Sequence, residues 1–184
     1  MSSTLLNLLR CGSIRHGNFL RCPDLGLREK ARVNSLRKCE DEEETADVSD
    51  RIMAFLIDTD ILIYSIKGDA KVQAGFLKHE KIPKYISVIS YGELMYGARK
   101  SQQVERNLAI VYRIRDLFPV LNVDRAVIET FSELKAGLQR SGVSIDDMDL
   151  LIASTALTSN SILVTNNEKH FRKIPGLRID NWSK

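Results

Sequence analysis

After Cys39 the sequence contains no cysteine. The three that exist, Cys11, Cys22 and Cys39, are an odd set without metal-ligand spacing. This excludes a disulfide framework and a thiolate metal site from the remaining chain, and it suits a reducing compartment, so the expected location is cytoplasmic. No apolar run approaches the roughly 18 residues that a membrane span needs, so no membrane association is expected. Charge of one sign is also scarce: the net is +3 over 184 residues, too small an excess to argue nucleic-acid binding by bulk charge. Repeats and low-complexity segments are absent after residue 52. What remains is an ordinary globular composition, enough for one domain with its own core plus an extension.

The extension is residues 1–52. It carries Arg10, Arg15 and Arg21 but no acid up to Cys22, then a continuous acidic run from Glu40 to Glu44. The basic start weakly resembles a transit peptide. The plainer reading is a poorly ordered tail, or sequence upstream of a natural start at Met53, since acidic blocks stay solvated. The folded unit is expected over 53–184.

Within that unit, strands alternate with helices. Apolar runs predict strands at 54–57, 85–88, 120–123 and 161–164, with a weak one at 177–179. Helical periodicity predicts helices over 59–66, 70–80, 90–100, 104–118, 125–140 and 147–158. On the fifth of these, Val127, Ile128, Phe131, Leu134 and Leu138 are expected inward, with Gly142 as the stop. Such alternation implies an α/β fold with a parallel sheet and right-handed crossovers.

The chain is organised around Phe55-Leu56-Ile57-Asp58-Thr59-Asp60, where an apolar strand runs straight into an acid. Open α/β folds place their sites at the carboxyl edge of the sheet. Four strand ends or helix starts offer oxygen atoms to such an edge. Asp58 ends the first strand, with Thr59 and Asp60 beside it; the alternative is that Asp58 only caps the next helix. Glu93 follows Ser90 at the spacing of a capping box, which is its structural alternative. Asp149 directly precedes a wholly apolar helical run, where an acid is costly unless paired or metal-bound. Thr165-Asn166-Asn167 follows the strand 161–164, either as a polar turn or as further oxygen ligands. If these positions converge, their carboxylates repel one another, and a hard divalent cation resolves the repulsion. No His or Cys is expected near them, which argues against zinc. Mg²⁺ or Mn²⁺ on carboxylates suits phosphodiester hydrolysis.

Four segments in this order resemble the PIN domain, and within it the VapC toxins of toxin–antitoxin pairs: Phe55–Asp60, Ser90-Tyr91-Gly92-Glu93-Leu94-Met95-Tyr96-Gly97, Asp149–Ala156, and Leu163-Val164-Thr165-Asn166-Asn167 with Phe171 and Gly176-Leu177. The resemblance covers about residues 53–184. It implies a three-layer α/β/α fold on a five-stranded parallel sheet of order 3-2-1-4-5. It also implies a Mg²⁺- or Mn²⁺-dependent ribonuclease whose catalytic and metal-holding acids are Asp58, Glu93 and Asp149. Thr59, Asp60, Thr165 and Asn167 support them, and Asn167 stands where the family has Asp or Asn. The implied partners are RNA, tRNA among the candidates, a cognate antitoxin that covers the cleft, and a second copy in a homodimer. Residues 1–52 have no counterpart in the pattern and are open to a further reading, a remnant of an upstream antitoxin frame. Arg99, Lys100 and Lys67 are candidate RNA contacts, with Lys71, Lys78, Arg106 and Arg113 as further basic positions; solvated helix faces are the alternative.

Two other functions fit parts of the sequence. Asp58-Thr59-Asp60 imitates the opening of haloacid dehalogenase-type phosphatases, but Leu62 stands where that family has Thr or Val. An inactive PIN-like or receiver-like module that only binds a partner is the non-enzymatic alternative.

Overall fold

A computed structural model describes residues 54–184. The readings made of residues 1–52 and of Met53 lie outside the described residues. Strands β1 (Ala54–Ile57), β2 (Lys84–Ser87), β3 (Val120–Leu121), β4 (Ser161–Val164) and β5 (Ile179–Asp180) form one sheet. Every pairing is parallel and the order is β3-β2-β1-β4-β5, as the resemblance implied. The helices are α1 (Thr59–Lys67), α2 (Ala70–Lys78), α3 (Val88–Lys100), α4 (Val104–Leu117), α5 (Arg125–Arg140), α6 (Asp147–Thr158) and the single turn α7 (Glu168–Phe171).

The apolar strands are continuous because both sheet faces are covered. Side chains alternate across β1: Phe55 and Ile57 enter one core with Ile61, Phe76, Leu94 and Ile114 from α1–α4. Leu56 enters the other, with Leu138, Leu150 and Ile152 from α5 and α6 and with Phe171. Leu56 and Ile57 are wholly enclosed. Each such burial stabilises the fold by about 1.5–3 kcal/mol.

Several boundaries differ from the sequence expectation. The expected helix at Ser90 begins at Val88, because Ser87 is the cap: its hydroxyl accepts from Ser90 N at 2.9 Å. Strand β2 therefore ends one residue early, and the Ser90–Glu93 capping box does not form. Ile128 is not inward; it is 47% exposed. Val127, Phe131, Leu134 and Leu138 already make a stripe at helical spacing, and Ile128 lies about 100° further round the axis. Strand β3 is two residues long rather than four, and β5 falls at Ile179–Asp180.

The carboxyl-terminal segment closes the first core. The Trp182 ring meets Phe55 and Phe76 edge-on at 5.1 and 5.0 Å and stacks on His79 at 5.4 Å. Its Nε1 donates to Asp180 Oδ2 at 2.8 Å. This approach requires a glycine beneath it, since a Cβ on Gly75 would lie 2.7 Å from the indole. Gly75→Ala is therefore expected to destabilise the protein by about 1–3 kcal/mol through overpacking, read as a lower urea midpoint with an unchanged slope.

Candidate active site

Strand β1 ends at Asp58, whose backbone N still bonds Val164 O at 3.0 Å, so the first residue past the strand is held against β4. The residue is 7% exposed. One carboxyl oxygen accepts from Thr59 N at 2.7 Å, which is the expected helix cap; the other accepts from Thr165 Oγ1 at 2.7 Å. The cap and a place at the sheet edge are thus the same contact set rather than alternatives. Burial, with the Asp60 charge next, pushes the Asp58 carboxyl up to about 7; Glu93 adds to the rise, and the two hydrogen bonds oppose it.

Asp60 also turns toward this edge. Its Oδ2 accepts from Asn166 N at 2.9 Å, while its buried Oδ1 has no hydrogen-bond partner. Desolvation raises its pKa, and the charge of Asp149 contributes in the same direction. Glu93 comes from the second turn of α3 rather than the first, because that helix starts early. Its Oε2 accepts from the Thr59 hydroxyl, which ties it to the start of α1.

At the start of α6 three neighbouring acids divide their work. Asp146 is the cap and accepts from Met148 N at 2.9 Å. Asp147 pairs with Lys135 at 2.7 Å. Asp149, its side chain 24% exposed, faces the edge. There it meets the loop after β4: Asn167 Nδ2 lies 3.5 Å from Asp149 Oδ2, and Asn167 N donates to Thr165 Oγ1 at 3.0 Å. Asp58, Asp60, Glu93 and Asp149 are thereby drawn to one edge by contact or mutual charge, with Thr59, Thr165 and Asn167 between them.

The residue that sequence reasoning missed is His170. Its Nδ1 is 3.2 Å from Asp149 Oδ2 and 3.1 Å from Asn167 Nδ2, so the expectation that no His lies near the acids is corrected. The signal lies in the spacing: His170 is three residues past Asn167, one helical turn, on a segment Glu168–Phe171 too short to show helical periodicity.

The fold is shared with other chains. The PIN domain profile matches residues 55–177. The chain belongs to the PIN domain family. Its VapC character is as plain: it is 37% identical over 134 residues to the tRNA(fMet)-specific endonuclease VapC of Shigella flexneri, covering 72% of this chain and all of that protein. Among solved structures it is similar to VapBC2 from Rickettsia felis bound to a promoter DNA fragment, with a TM-score of 0.67 and 32% identity over 71% of this chain and 99% of that one. DNA-bound VapBC from Salmonella typhimurium gives 0.66 and 34%, over 71% and 98%.

In this PIN domain the acids are not gathered into a closed cage: among the described residues, no group of three or more His, Cys, Asp or Glu is so placed as to hold an ion by itself. Two features of the edge nevertheless fit a cation. A buried carboxylate oxygen, Asp60 Oδ1, lacks a partner, and burial and like charge raise the Asp58 pKa to about 7, so that its ionised form is costly without a compensating charge. The donors are almost all oxygen, as Mg²⁺ and Mn²⁺ prefer. The haloacid dehalogenase reading fares worse, since both oxygens of its would-be nucleophile Asp58 are engaged and the side chain is buried.

The candidate RNA contacts are not brought to the acids. Lys67 ends α1, about 12 Å along the helix from its start, and Arg99 and Lys100 end α3 about 10 Å beyond Glu93. All three are exposed, and Lys100 lies over the Tyr96 ring at 5.8 Å.

The raised Asp58 pKa has a definite sign. Between its ordinary value of 3.8 and about 7 the folded protein holds a proton that the unfolded chain has released. Without added metal, stability should therefore be greatest below about pH 4 with respect to this group and fall as pH rises through about 7. Urea unfolding in chelator across that range is expected to show the decline, and Asp58→Asn is expected to flatten it.

Proposed function

We propose that this chain is a divalent-metal-dependent endoribonuclease and the toxin of a toxin–antitoxin pair, acting on structured RNA of the tRNA class. The reading is carried by the links among the acids at the carboxyl edge of a PIN sheet: Thr59 joins Asp58 to Glu93, and Asp58 and Asp149 both add charge repulsion around Asp60. Kinship to a VapC endonuclease named for tRNA supports the substrate class. The catalytic unit is assigned to residues 53–184, the protein acts in the cytoplasm, and it works as a homodimer.

Asp58, Asp149 and Glu93 would hold Mg²⁺ or Mn²⁺, with Asp60 contributing its unpartnered oxygen. When bound, the ion supplies Lewis acidity toward the scissile phosphate and offsets charge on the leaving oxygen. The protein's own groups do the rest. Thr165 and Thr59 N fix the Asp58 carboxyl, so that it ionises without moving. The Thr59 hydroxyl holds Glu93, the most exposed of the three acids, where it can orient an attacking water and take its proton. Lys100 and Arg99 contact phosphates away from the cut.

Beside Glu93 an apolar groove opens between α1, α3 and α4, lined by Ile63, Ile66, Leu94, Gly97 and Ile110. An antitoxin laid in that groove would lie against Glu93. The similarity to VapBC assemblies supports such a partner.

The purified full chain is expected to cleave tRNA with Mg²⁺ or Mn²⁺ and to stop when a chelator is added. Asp58→Asn, Glu93→Gln and Asp149→Asn should each lower the rate by about 100-fold or more, measured on end-labelled RNA under single-turnover conditions. Cleavage that persists in chelator, or in all three variants, would overturn the metal-nuclease reading at these acids, and a wild type that cleaves no RNA with either metal would leave a binding module.

A further inference from the structure

We infer that His170 sets the affinity of the acidic edge for its divalent cation without touching the ion, by holding Asp149 in one orientation. The inference rests on the reading above that the edge binds Mg²⁺ or Mn²⁺. It concerns a side chain that none of the four family-like segments includes.

The backbone under His170 is well anchored although α7 is only one turn. Phe171, the next residue, is fully buried in the second core. Glu168, two residues earlier, accepts from Asn181 Nδ2 at 2.7 Å and pairs with Lys184 and Arg172. The Lys184 hydrogen bond is the main reason its pKa is pulled down to about 2. His170 N itself donates to Asn167 O at 3.1 Å. The ring is therefore presented from a fixed turn, not from a free loop.

At its tip, Nδ1 stands 3.2 Å from Asp149 Oδ2. A bare ring nitrogen facing a carboxylate at that distance would be repelled, so the proton resides on Nδ1 and is donated to the carboxylate. The Asn167 amide nitrogen lies 3.1 Å from the same ring nitrogen and 3.5 Å from Asp149 Oδ2. Asp149 needs this contact. Helix α6 fixes its Cα and Cβ, but the last torsion of an aspartate is broad and nearly two-fold, so the helix alone does not choose which oxygen faces the edge. With Oδ2 engaged by the imidazole, Oδ1 is left for the cation. The Asn167 amide brings no charge of its own, so the site leans on Asp149 being correctly turned. Groups that hold a ligating carboxylate in this way typically change metal affinity by about 10–100-fold when removed.

The test is calorimetric titration of Mn²⁺ alone into the full chain, for wild type, His170→Ala and His170→Asn. Asn places an amide N–H close to where Nδ1 stood. We expect His170→Ala to weaken Mn²⁺ binding by about tenfold or more, and His170→Asn to recover most of the loss. Thermal unfolding in chelator should be the same for all three, since the ring is half exposed and no core packing changes. Wild-type affinity in His170→Ala would overturn this inference alone. His170→Asn binding as weakly as His170→Ala would also overturn it, because the ring and not the donated proton would then matter. No saturable Mn²⁺ binding by the wild type would overturn the metal reading itself, and this inference with it.

Discussion

The contact from Thr165 Oγ1 to Asp58 Oδ2 joins residues 107 positions apart, and the site is built round it. It locks the ends of two adjacent parallel strands together at the carboxyl edge. Asp58 is simultaneously the cap of α1, so the same carboxylate orients a helix, bridges two strands and faces the cleft. A buried acid with like charges beside it is an unfavourable group to keep. Two hydrogen bonds hold it in place and lower the cost of its charge, but desolvation still dominates and keeps its pKa high.

The rest of the architecture supplies the neighbours. The parallel pairing of β1 with β4 puts the start of α1 and the loop after β4 side by side, and α3 follows directly from β2. Thr59 then acts as a bridge, its backbone N on Asp58 and its hydroxyl on Glu93. The carboxyl-terminal segment has a part in this too. Asn181 and Ser183 reach Asn166 Oδ1 at 3.4 and 2.9 Å, and Asn166 N holds Asp60. Trp182, packed into the first core over Gly75, anchors that segment. The loop facing the acids is thus braced from behind by residues far from it in the chain.

Placing similar residues in one cleft does not make them equivalent. Asp146, Asp147 and Asp149 lie within four positions, yet one caps, one pairs with Lys135 and one turns toward the edge. Helix geometry separates them by about 100° per residue, so adjacent acids cannot share a direction. The basic residues show the converse. Lys67, Arg99 and Lys100 belong to the helices that carry the acids, but they sit at the far ends.

From residue types and spacing alone came the alternation of strands and helices, the bounds of α5 and α6, and the four oxygen-bearing positions at strand ends and helix starts. These are local matters: apolar period, capping residues and turn formers act over one or two turns of chain. Where local signals competed, the sequence was a poor guide. Ser87 and Ser90 are both good caps, and only the packing of β2 against β1 and β3 selected Ser87 and so moved Glu93 into the second turn. Ile128 is as apolar as its neighbours, and only the direction of the core left it outside. The resemblance supplied the strand order, which composition and periodicity do not encode. Whether Asp58 is a cap or a site residue, which of three adjacent acids faces the cleft, and that His170 meets Asp149 were decided by tertiary structure, because each depends on contacts between segments that the chain separates by tens of residues and that only the folded sheet brings within hydrogen-bonding reach.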